Sequence, residues 1–543
     1  MHIDRPTLIA LAAVIAAAVV PYLPSLDNEL VFDDRFLASQ DARVTEPGHL
    51  GEIWVTDYWP GDRPSYNYRP ITTTSFALAG GAGTQRALKI GLHATCSVLV
   101  LVLCLVLGLG ISGATVAATL FAVHPLHSEA IYLIVGRGEL LAAGFGILFL
   151  IGYLRRWQFP ILTMLFGAAL LSKESAIMLP VLALVLDRLR KSGNGTGQRV
   201  KPAVRFLAWS VIPILVLFAL RYRVFGRFLT PPGHVNPLFN PIVEMEGPWR
   251  LLNSAWIVLK YLLAMLWPLP LRADYSFDQL NLIRSLADPR LLLVIGAIVL
   301  FIVFVGRSGR GWSAGKVAAL VTVLALVPVS NLFFTTGVGF GERLAYLPVV
   351  GLSLGAGFMV DRAGHRFENR PVPGNASGIL LLALAVLATY IVIRRDGDWQ
   401  TRDSFTAALV QDSPESAFAH GVRGAYLLEL DRRLEARSHI ESALEIRPSW
   451  PDAWATLAGL ERDGGDLRGA ARSYVRAAEA LETSEFDRDE IPIYYYRAAS
   501  LYLRSGECRD ARRYATRSRQ FLDGVAPAPL RELEQRLAEA ACE

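Results

Sequence analysis

Two adjacent carboxylates, Asp33 and Asp34, follow directly after an apolar segment near the start of the chain, in the stretch LVFDDRF at residues 30–36. A membrane anchor does not need acids at this place, and the positive-inside rule favours Lys and Arg near membrane segments. A carboxylate can take a proton from a hydroxyl group, so the pair is a candidate catalytic site. The alternative role is a helix cap or a solvated loop.

Further polar residues stand near the ends of apolar segments, in motifs such as TDYW, NYRP, HPLHSE, VGRGE, SKES and GERLAYLP. Placing an ionisable group in or beside a membrane costs free energy, so such residues are candidates for a functional site. Arg and Lys suit a phosphate, and a carboxylate suits deprotonation, so the set indicates transfer of a group from a lipid phosphate to an alcohol. The candidate substrate-binding residues are Asp57, Arg69, His124, His127, Glu129, Arg137, Glu139, Lys173, Glu174, Arg221, Asn236, Asp274, Glu342 and Arg343.

Two of these motifs have simpler interpretations. His124 and His127 with Glu129 resemble a weak zinc motif, but interfacial hydrogen bonding or substrate contact fits better. Lys173 and Glu174 can form an ion pair at a helix end and nothing more.

The elements that must position these residues are apolar helices. The chain has 543 residues, of which 52% are apolar and 19% charged, against roughly 25% charged in soluble domains. Apolar runs long enough to cross a bilayer recur up to about residue 395. We predict an all-α polytopic membrane domain over residues 1–394 with eleven spans and an uncleaved first segment. The spans lie near residues 7–24, 87–108, 111–124, 130–153, 159–172, 174–187, 203–221, 291–306, 313–330, 341–360 and 376–393.

Loop charges predict the orientation. The segment 187–205 holds six basic residues and one acid, and 307–316 is also basic, so both are expected in the cytoplasm. The loop 25–86 holds nine acids and five bases and is expected outside. All basic loops fall inside if residues 251–271 re-enter or lie along the interface rather than span. This topology explains the formal charge of +5, so no nucleic-acid partner is indicated.

Residues 395–543 form a second predicted domain with a repeat. Ala436 and Ala470 are 34 residues apart, and Ala511 follows after an insertion of 7 residues within TSEFDRDE. Small residues recur around each of them, which lets paired helices approach closely, and a period of 34 is typical of tetratricopeptide repeats. We predict an α-solenoid with repeats near 417–450, 451–484 and 492–525 that binds a polypeptide, the alternative being a folded spacer. Cys508 and Cys542 can pair if this domain is outside the cytoplasm.

Several long blocks carry a family resemblance. VFDDRF, DYWPGDRPSYNYRPITTTSFAL, FAVHPLHSEAIYLIVGRGELLAA, LLSKESAIMLPVLALVLD, PLPLRADYS and SNLFFTTGVGFGERLAYLP occur in this order. Over roughly residues 1–530 the chain resembles the transmembrane and tetratricopeptide-repeat O-mannosyltransferases, which belong to the GT-C class of membrane glycosyltransferases.

The resemblance implies an inverting transfer of a sugar from a polyprenyl phosphate, such as dolichyl- or undecaprenyl-phosphate mannose, to Ser or Thr of a protein. It implies that Asp33 or Asp34 is the base, with Asp33 the first choice, and that no metal is required. The residues implied to hold the lipid phosphate are His124, His127, Arg137, Lys173, Arg221 and Arg343. The composition is typical of a bacterium, so the expected location is the inner membrane, with the repeats outside the cytoplasm.

Two alternative functions remain open at this point. One is a catalytically idle scaffold whose membrane domain anchors and whose repeats recruit partners. The other is a transferase that modifies a lipid-linked or cell-wall glycan. The intact acidic and basic set argues against the scaffold but does not separate protein from glycan acceptors.

Overall fold

The computed structural model describes residues 4–46, 48–61, 64–194, 201–231, 234–277, 279–307, 313–367, 376–483, 488–522, 524–525 and 527–539. Within these ranges every regular element is helical, as the sequence predicts. Parts of the two basic loops, residues 484–487 of the insertion, and Cys542 of the expected disulfide lie outside the described residues.

The first fifteen α-helices hold most of the apolar sequence. Several are continued by 3-10 turns, such as Val20–Asp27 after the first helix and Ile134–Gly136 before the seventh. The helices are α1 (Arg5–Val19), α2 (Ala42–Thr45), α3 (Pro70–Ala79), α4 (Ala82–Val106), α5 (Ile111–Ala122), α6 (His127–Tyr132), α7 (Arg137–Leu154), α8 (Phe159–Ser172), α9 (Leu179–Asn194), α10 (Lys201–Phe225), α11 (Gly247–Leu266), α12 (Arg290–Arg307), α13 (Ala314–Leu326), α14 (Val349–Phe367) and α15 (Ala376–Trp399).

Within the described part of the chain, four helical stretches are long and apolar enough to cross a membrane. They are Arg5–Asp27, Ala82–Val106, Ile134–Leu154 and Val204–Phe225. Shorter apolar helices accompany them, namely Ile111–Ala122, Phe159–Ser172, Arg290–Gly306 and Ala314–Val329. Helix α11 covers most of the segment 251–271, and the total of eleven spans stays a prediction.

Helices α5 and α14 cross at unusually short distance. A Cβ atom on Gly113 would lie 2.7 Å from the carbonyl oxygen of Gly357, and one on Gly357 would lie 2.6 Å from that of Gly113. Small residues at a crossing let two backbones touch, which is how helices associate where lipid removes the hydrophobic driving force. This crossing requires glycine at both positions.

The remaining helices are α16 (Arg402–Asp412), α17 (Ala417–Glu429), α18 (Arg433–Ile446), α19 (Pro451–Asp463), α20 (Leu467–Glu482), α21 (Ile491–Arg504), α22 (Cys508–Gln520) and α23 (Ala528–Glu539). Each predicted 34-residue repeat contains two of them. The small residues at the repeat positions, among them Ala436, Ala470 and Ala511, are fully buried. A Cβ atom on Gly424 of α17 would lie 2.7 Å from Cδ1 of Ile440 on α18, so the first pair packs without room for a side chain.

The described chain divides into two compact units. The first comprises residues 1–230, 244–271 and 282–405, and the second comprises 231–243, 272–281 and 406–543. The second unit therefore contains two segments from the apolar half of the sequence. In it Phe239 contacts Phe418 with ring centroids 5.1 Å apart, and the Arg447 guanidinium lies 4.4 Å from the Phe277 ring centroid.

Candidate active site

The two acids follow a strained residue. Phe32 has φ 51°, in the left-handed region that a bulky side chain rarely adopts. Such a residue costs on the order of 1–3 kcal/mol and persists only where the surrounding structure enforces it. It lies directly before Asp33, in the first unit.

Asp34 is fully buried and holds the loop in place. One of its oxygens accepts a hydrogen bond from the backbone N–H of Ile134 at 2.8 Å, and the other accepts from Val135 at 2.9 Å. Both oxygens are therefore occupied by the turn that precedes α7. Lys89 and Arg86 of α4 supply positive charge nearby. This arrangement makes Asp34 a structural anchor between distant parts of the chain.

Asp33 is partly buried, and among the described residues none donates a hydrogen bond to its carboxylate. Burial raises the pKa of this carboxyl to about 7; Arg343 opposes the rise, while Asp34 and Glu129 add to it. A carboxyl with a pKa near 7 exchanges protons readily at neutral pH, as a general base requires. Of the two acids, Asp33 has the environment of a base.

Among the charged groups that act on Asp33, Arg343 has the largest effect on the pKa of its carboxyl. Its backbone N–H donates to Oε2 of Glu129 at 2.8 Å, and its Nη1 donates to Oε1 of the same carboxylate. The Arg343 side chain remains 21% exposed. Because Glu129 engages one guanidinium nitrogen, the remaining N–H groups of Arg343 can bind a phosphate oxygen.

Two more ion pairs adjoin this group. Arg69 donates from Nε and Nη2 to the two oxygens of Glu174, at 3.0 and 2.6 Å, and its guanidinium lies 5.1 Å from the centroid of the Tyr58 ring. Lys173 donates to Glu139. Lys173 and Arg343 also influence each other electrostatically, as do Tyr58 and Asp33. The predicted residues that the structure brings together are Asp33, Arg69, Glu129, Glu139, Lys173, Glu174 and Arg343, which with Tyr58 we call the acid–cation cluster.

Asp57 and Arg221 lie near this cluster, since Arg221 interacts electrostatically with Glu174, Arg69 and Asp57. Asp57 accepts hydrogen bonds from the backbone N–H of Ser65, from Ser65 Oγ at 2.6 Å and from the N–H of Tyr66 at 3.0 Å. Arg221 donates to the carbonyl oxygens of Tyr66 and Phe228, both at 2.9 Å. These contacts fix the loop that precedes α3.

The predicted histidines lie in packed surroundings. His124 Nε2 is 3.0 Å from the carbonyl oxygen of Met265, and its Nδ1 accepts from the N–H of Leu126. His127 packs among aromatic rings, with centroids 4.6 Å from Phe121 and 4.4 Å from Tyr346. Both side chains are buried, so their prediction as phosphate contacts gains no support from geometry.

Arg137 is also fully buried. It donates to the carbonyl oxygens of Ser75 and Gln85 at 2.8 and 3.0 Å, and its guanidinium lies 4.8 Å from the Phe76 ring centroid. Its charge is thus used to join α3, α4 and α7.

The last three predicted residues are not part of the acid–cation cluster. Glu342 is buried in an ion pair with Arg395 at 2.8 Å. Asn236 and Asp274 belong to the second unit. There Asp274 accepts from the backbone N–H and Oγ of Ser276, both at 2.9 Å, and from Ser416 Oγ, which caps α17.

Sequence reasoning missed Arg86, Lys89, Tyr58 and Arg395. Arg86 and Lys89 lie within an apolar run, and a charge in such a run is a usable signal. Nothing in the sequence marks Tyr58 as a partner of Arg69. In the described ranges no group of three or more His, Cys, Asp or Glu side chains is arranged to hold a metal ion.

Comparison with known proteins shows sequence similarity to one family. A family model described as "Protein O-mannosyl-transferase TMTC, DUF1736" matches residues 231–302. The protein O-mannosyl-transferase F38B6.6 of Caenorhabditis elegans is 27% identical over 459 residues, covering 81% of this chain and 63% of the relative.

Two mouse proteins give similar matches. Protein O-mannosyl-transferase TMTC3 is 26% identical over 523 residues, covering 86% of this chain and 54% of its own length. Protein O-mannosyl-transferase TMTC4 is 27% identical over 462 residues, covering 73% and 61%. The chain thus spans between about half and just under two thirds of the length of these relatives. By these matches and the matched family model, the chain is similar in sequence to the TMTC protein O-mannosyl-transferases.

Proposed function

We propose that the chain is a membrane glycosyltransferase of the GT-C class that transfers a mannose-like sugar from a polyprenyl phosphate to a Ser or Thr hydroxyl of a protein, with inversion. The observation that carries the proposal is the environment of Asp33, whose carboxylate accepts no hydrogen bond from the described residues and has a pKa of about 7 beside Arg343. The names of the relatives support a mannosyl transfer.

The proposed step is a single displacement. Asp33 accepts the proton of the acceptor hydroxyl while that oxygen forms a bond to the anomeric carbon of the donor sugar. The bond from the anomeric carbon to the phosphate oxygen breaks, and the polyprenyl phosphate leaves with the electron pair. Arg343 is positioned to stabilise the charge that develops on this oxygen. Attack from the face opposite the leaving group inverts the anomeric centre.

The ion pairs orient the cations of this site. Each cation of the acid–cation cluster is paired with one glutamate, so Arg343, Arg69 and Lys173 are oriented before a donor arrives. Preorganised charges stabilise a transition state without the cost of reorientation. We assign the donor phosphate to the unused N–H groups of these cations, with Arg343 first.

We further propose a polytopic protein of a bacterial inner membrane, with eleven spans and a tetratricopeptide solenoid outside the cytoplasm that binds the acceptor polypeptide. The pairwise helices α17 to α22 support the solenoid. Protease added to right-side-out vesicles should cut the second unit, whereas protection of that unit would contradict the orientation.

The central test is an assay with purified full-length protein, radiolabelled mannose on a polyprenyl phosphate, and membrane extract as acceptor. Asp33→Asn should abolish transfer while the protein remains folded. Glu52→Gln removes an exposed acid from the same loop and should leave transfer unchanged. Full activity of Asp33→Asn would exclude this residue as the base. Retention of the anomeric configuration in the product would exclude the single displacement.

A further inference from the structure

Helices α20 and α22 carry arginines at equivalent repeat positions. Arg468, Arg472 and Arg476 follow one another at every fourth residue of α20, and the same spacing recurs 41 residues later at Arg509, Arg513 and Arg517 of α22. This offset is the repeat of 34 residues plus the insertion of 7. Residues four apart lie on one face of a helix, so each helix presents a stripe of about 12 Å. We call the six residues the arginine face.

The first helical pair lacks this feature. At the corresponding positions of α18 the sequence has Leu434, Ser438 and Ser442. The solenoid-like packing therefore does not require arginine there. The two helices of the arginine face together contain eight arginines and three acidic residues.

Ion pairs at both ends hold the two stripes side by side. Arg468, near the start of α20, pairs with Glu507, which precedes α22. At the other end, Arg517 of α22 pairs with Glu482 of α20 at 2.8 Å. The helices thus run in the same direction, with start beside start and end beside end. This places both stripes on one surface of the second unit.

Three of the six arginines are not used in ion pairs within the described residues. All six side chains are exposed. Among the described residues, Arg472, Arg509 and Arg513 take part in no ion pair. Arg513 is supported by the ring of Tyr514, whose centroid is 5.3 Å from its guanidinium. Exposed cations without acidic partners are complementary to an array of anions, and these three arginines meet that condition.

We propose that the arginine face binds the anionic phospholipid headgroups of a membrane surface. The exposed side chains are long cations on one surface, which suits a fluid array of anionic headgroups. The same chain contains helices apolar enough to span a membrane, so tethering raises the local concentration of headgroups. Each arginine near an anionic leaflet adds to the attraction. The interaction docks the second unit on lipid and does not depend on glycosyl transfer.

The test uses the full chain in nanodiscs of phosphatidylcholine. We expect it to float with vesicles of an equimolar mixture of phosphatidylcholine and phosphatidylglycerol, and not with vesicles of phosphatidylcholine alone. Salt should weaken the binding. The triple variant Arg472→Gln, Arg509→Gln, Arg513→Gln should lose affinity for the anionic vesicles by on the order of 100-fold.

A matched control tests whether the loss of binding is specific to the arginine face. The variant Arg432→Gln, Arg433→Gln, Arg437→Gln removes the same charge from exposed, ion-paired arginines around α18, and it should retain binding. Circular dichroism should show equal helix content in both variants. Equal loss of binding in both, or no preference of the wild type for anionic vesicles, overturns the proposal. Binding of polyglutamate through the three arginines without vesicle binding would also overturn it and identify an acidic polypeptide instead.

Discussion

Arg343 donates to Glu129 from both its backbone N–H and its guanidinium, across 214 residues of sequence. This double contact fixes the direction of the Arg343 side chain beside Asp33. A single carboxylate thereby orders the cation that we assign to the leaving phosphate, and the pair can be tested apart from the base.

Glu129→Gln should leave Arg343 in place but poorly oriented, because an amide oxygen accepts less strongly and the charge is lost. We expect the rate of transfer to fall by about 10- to 100-fold, since misplaced catalytic groups are that costly. Steady-state kinetics should show the loss mainly in kcat. The double variant Glu129→Gln, Arg343→Gln should be no worse than Arg343→Gln alone, and additive losses would contradict the pairing.

The pH dependence of transfer should report Asp33. Because burial raises the pKa of this carboxyl to about 7, it is protonated and inactive as a base at lower pH. We expect kcat/KM to rise with pH through an inflection near 7 and then to level off. A profile that is flat between pH values of about 5 and 8, the range over which such a group titrates, would show that another group is the base.

Asp33 should also destabilise the fold at neutral pH. Its folded pKa lies above that of an unfolded aspartate, so the folded state binds the proton more tightly and stability falls as pH rises through this window. Asp33→Asn should therefore raise the midpoint of thermal unfolding in detergent near pH 8. The gain should vanish below the unfolded pKa of about 4. A variant less stable than the wild type at high pH would contradict this account.

Asp34→Asn should lower the stability of the fold, because it removes a hydrogen-bond acceptor. An amide presents one acceptor oxygen, so one of the two N–H groups of Ile134 and Val135 loses its partner. An unpaired buried donor costs about 1–3 kcal/mol. The expected result is a lower unfolding midpoint and faster hydrogen exchange at the start of α7. Unchanged exchange there would show that the turn does not depend on Asp34.

Close packing of the first helical pair predicts a contrast between two glycines. Gly424→Ala places a Cβ atom 2.7 Å from Ile440 and should cost about 1–3 kcal/mol. Gly459→Ala meets nothing within 4 Å and should stabilise α19 slightly, because alanine favours a helix. Hydrogen exchange of α17 and α18 should accelerate only in the first variant. The opposite order would contradict the packing.

Sequence patterns predicted the helical fold because apolar runs and the 34-residue repeat are local signals. They also placed Asp33 and Arg343 in one candidate site. The sequence does not predict which residues pair within the acid–cation cluster. Arg69 and Glu174, for example, are 105 residues apart, and no local pattern connects them. For the same reason the association of residues 231–243 and 272–281 with the repeats was not foreseen. A charged residue in a motif indicates an important position. It does not show whether that residue joins helices, as Arg137 does, or binds a substrate.

The hydrogen bonds of Asp34 affect how the sequences of distant relatives can be interpreted. The second acid of the pair maintains shape, while the first is assigned the chemistry. If the proposed role of Asp33 holds, a relative that keeps only the second acid would retain the architecture and lose transfer. Loss of the second alone would instead leave the N–H groups of Ile134 and Val135 without this acceptor, so such a relative would need another way to hold the turn before α7.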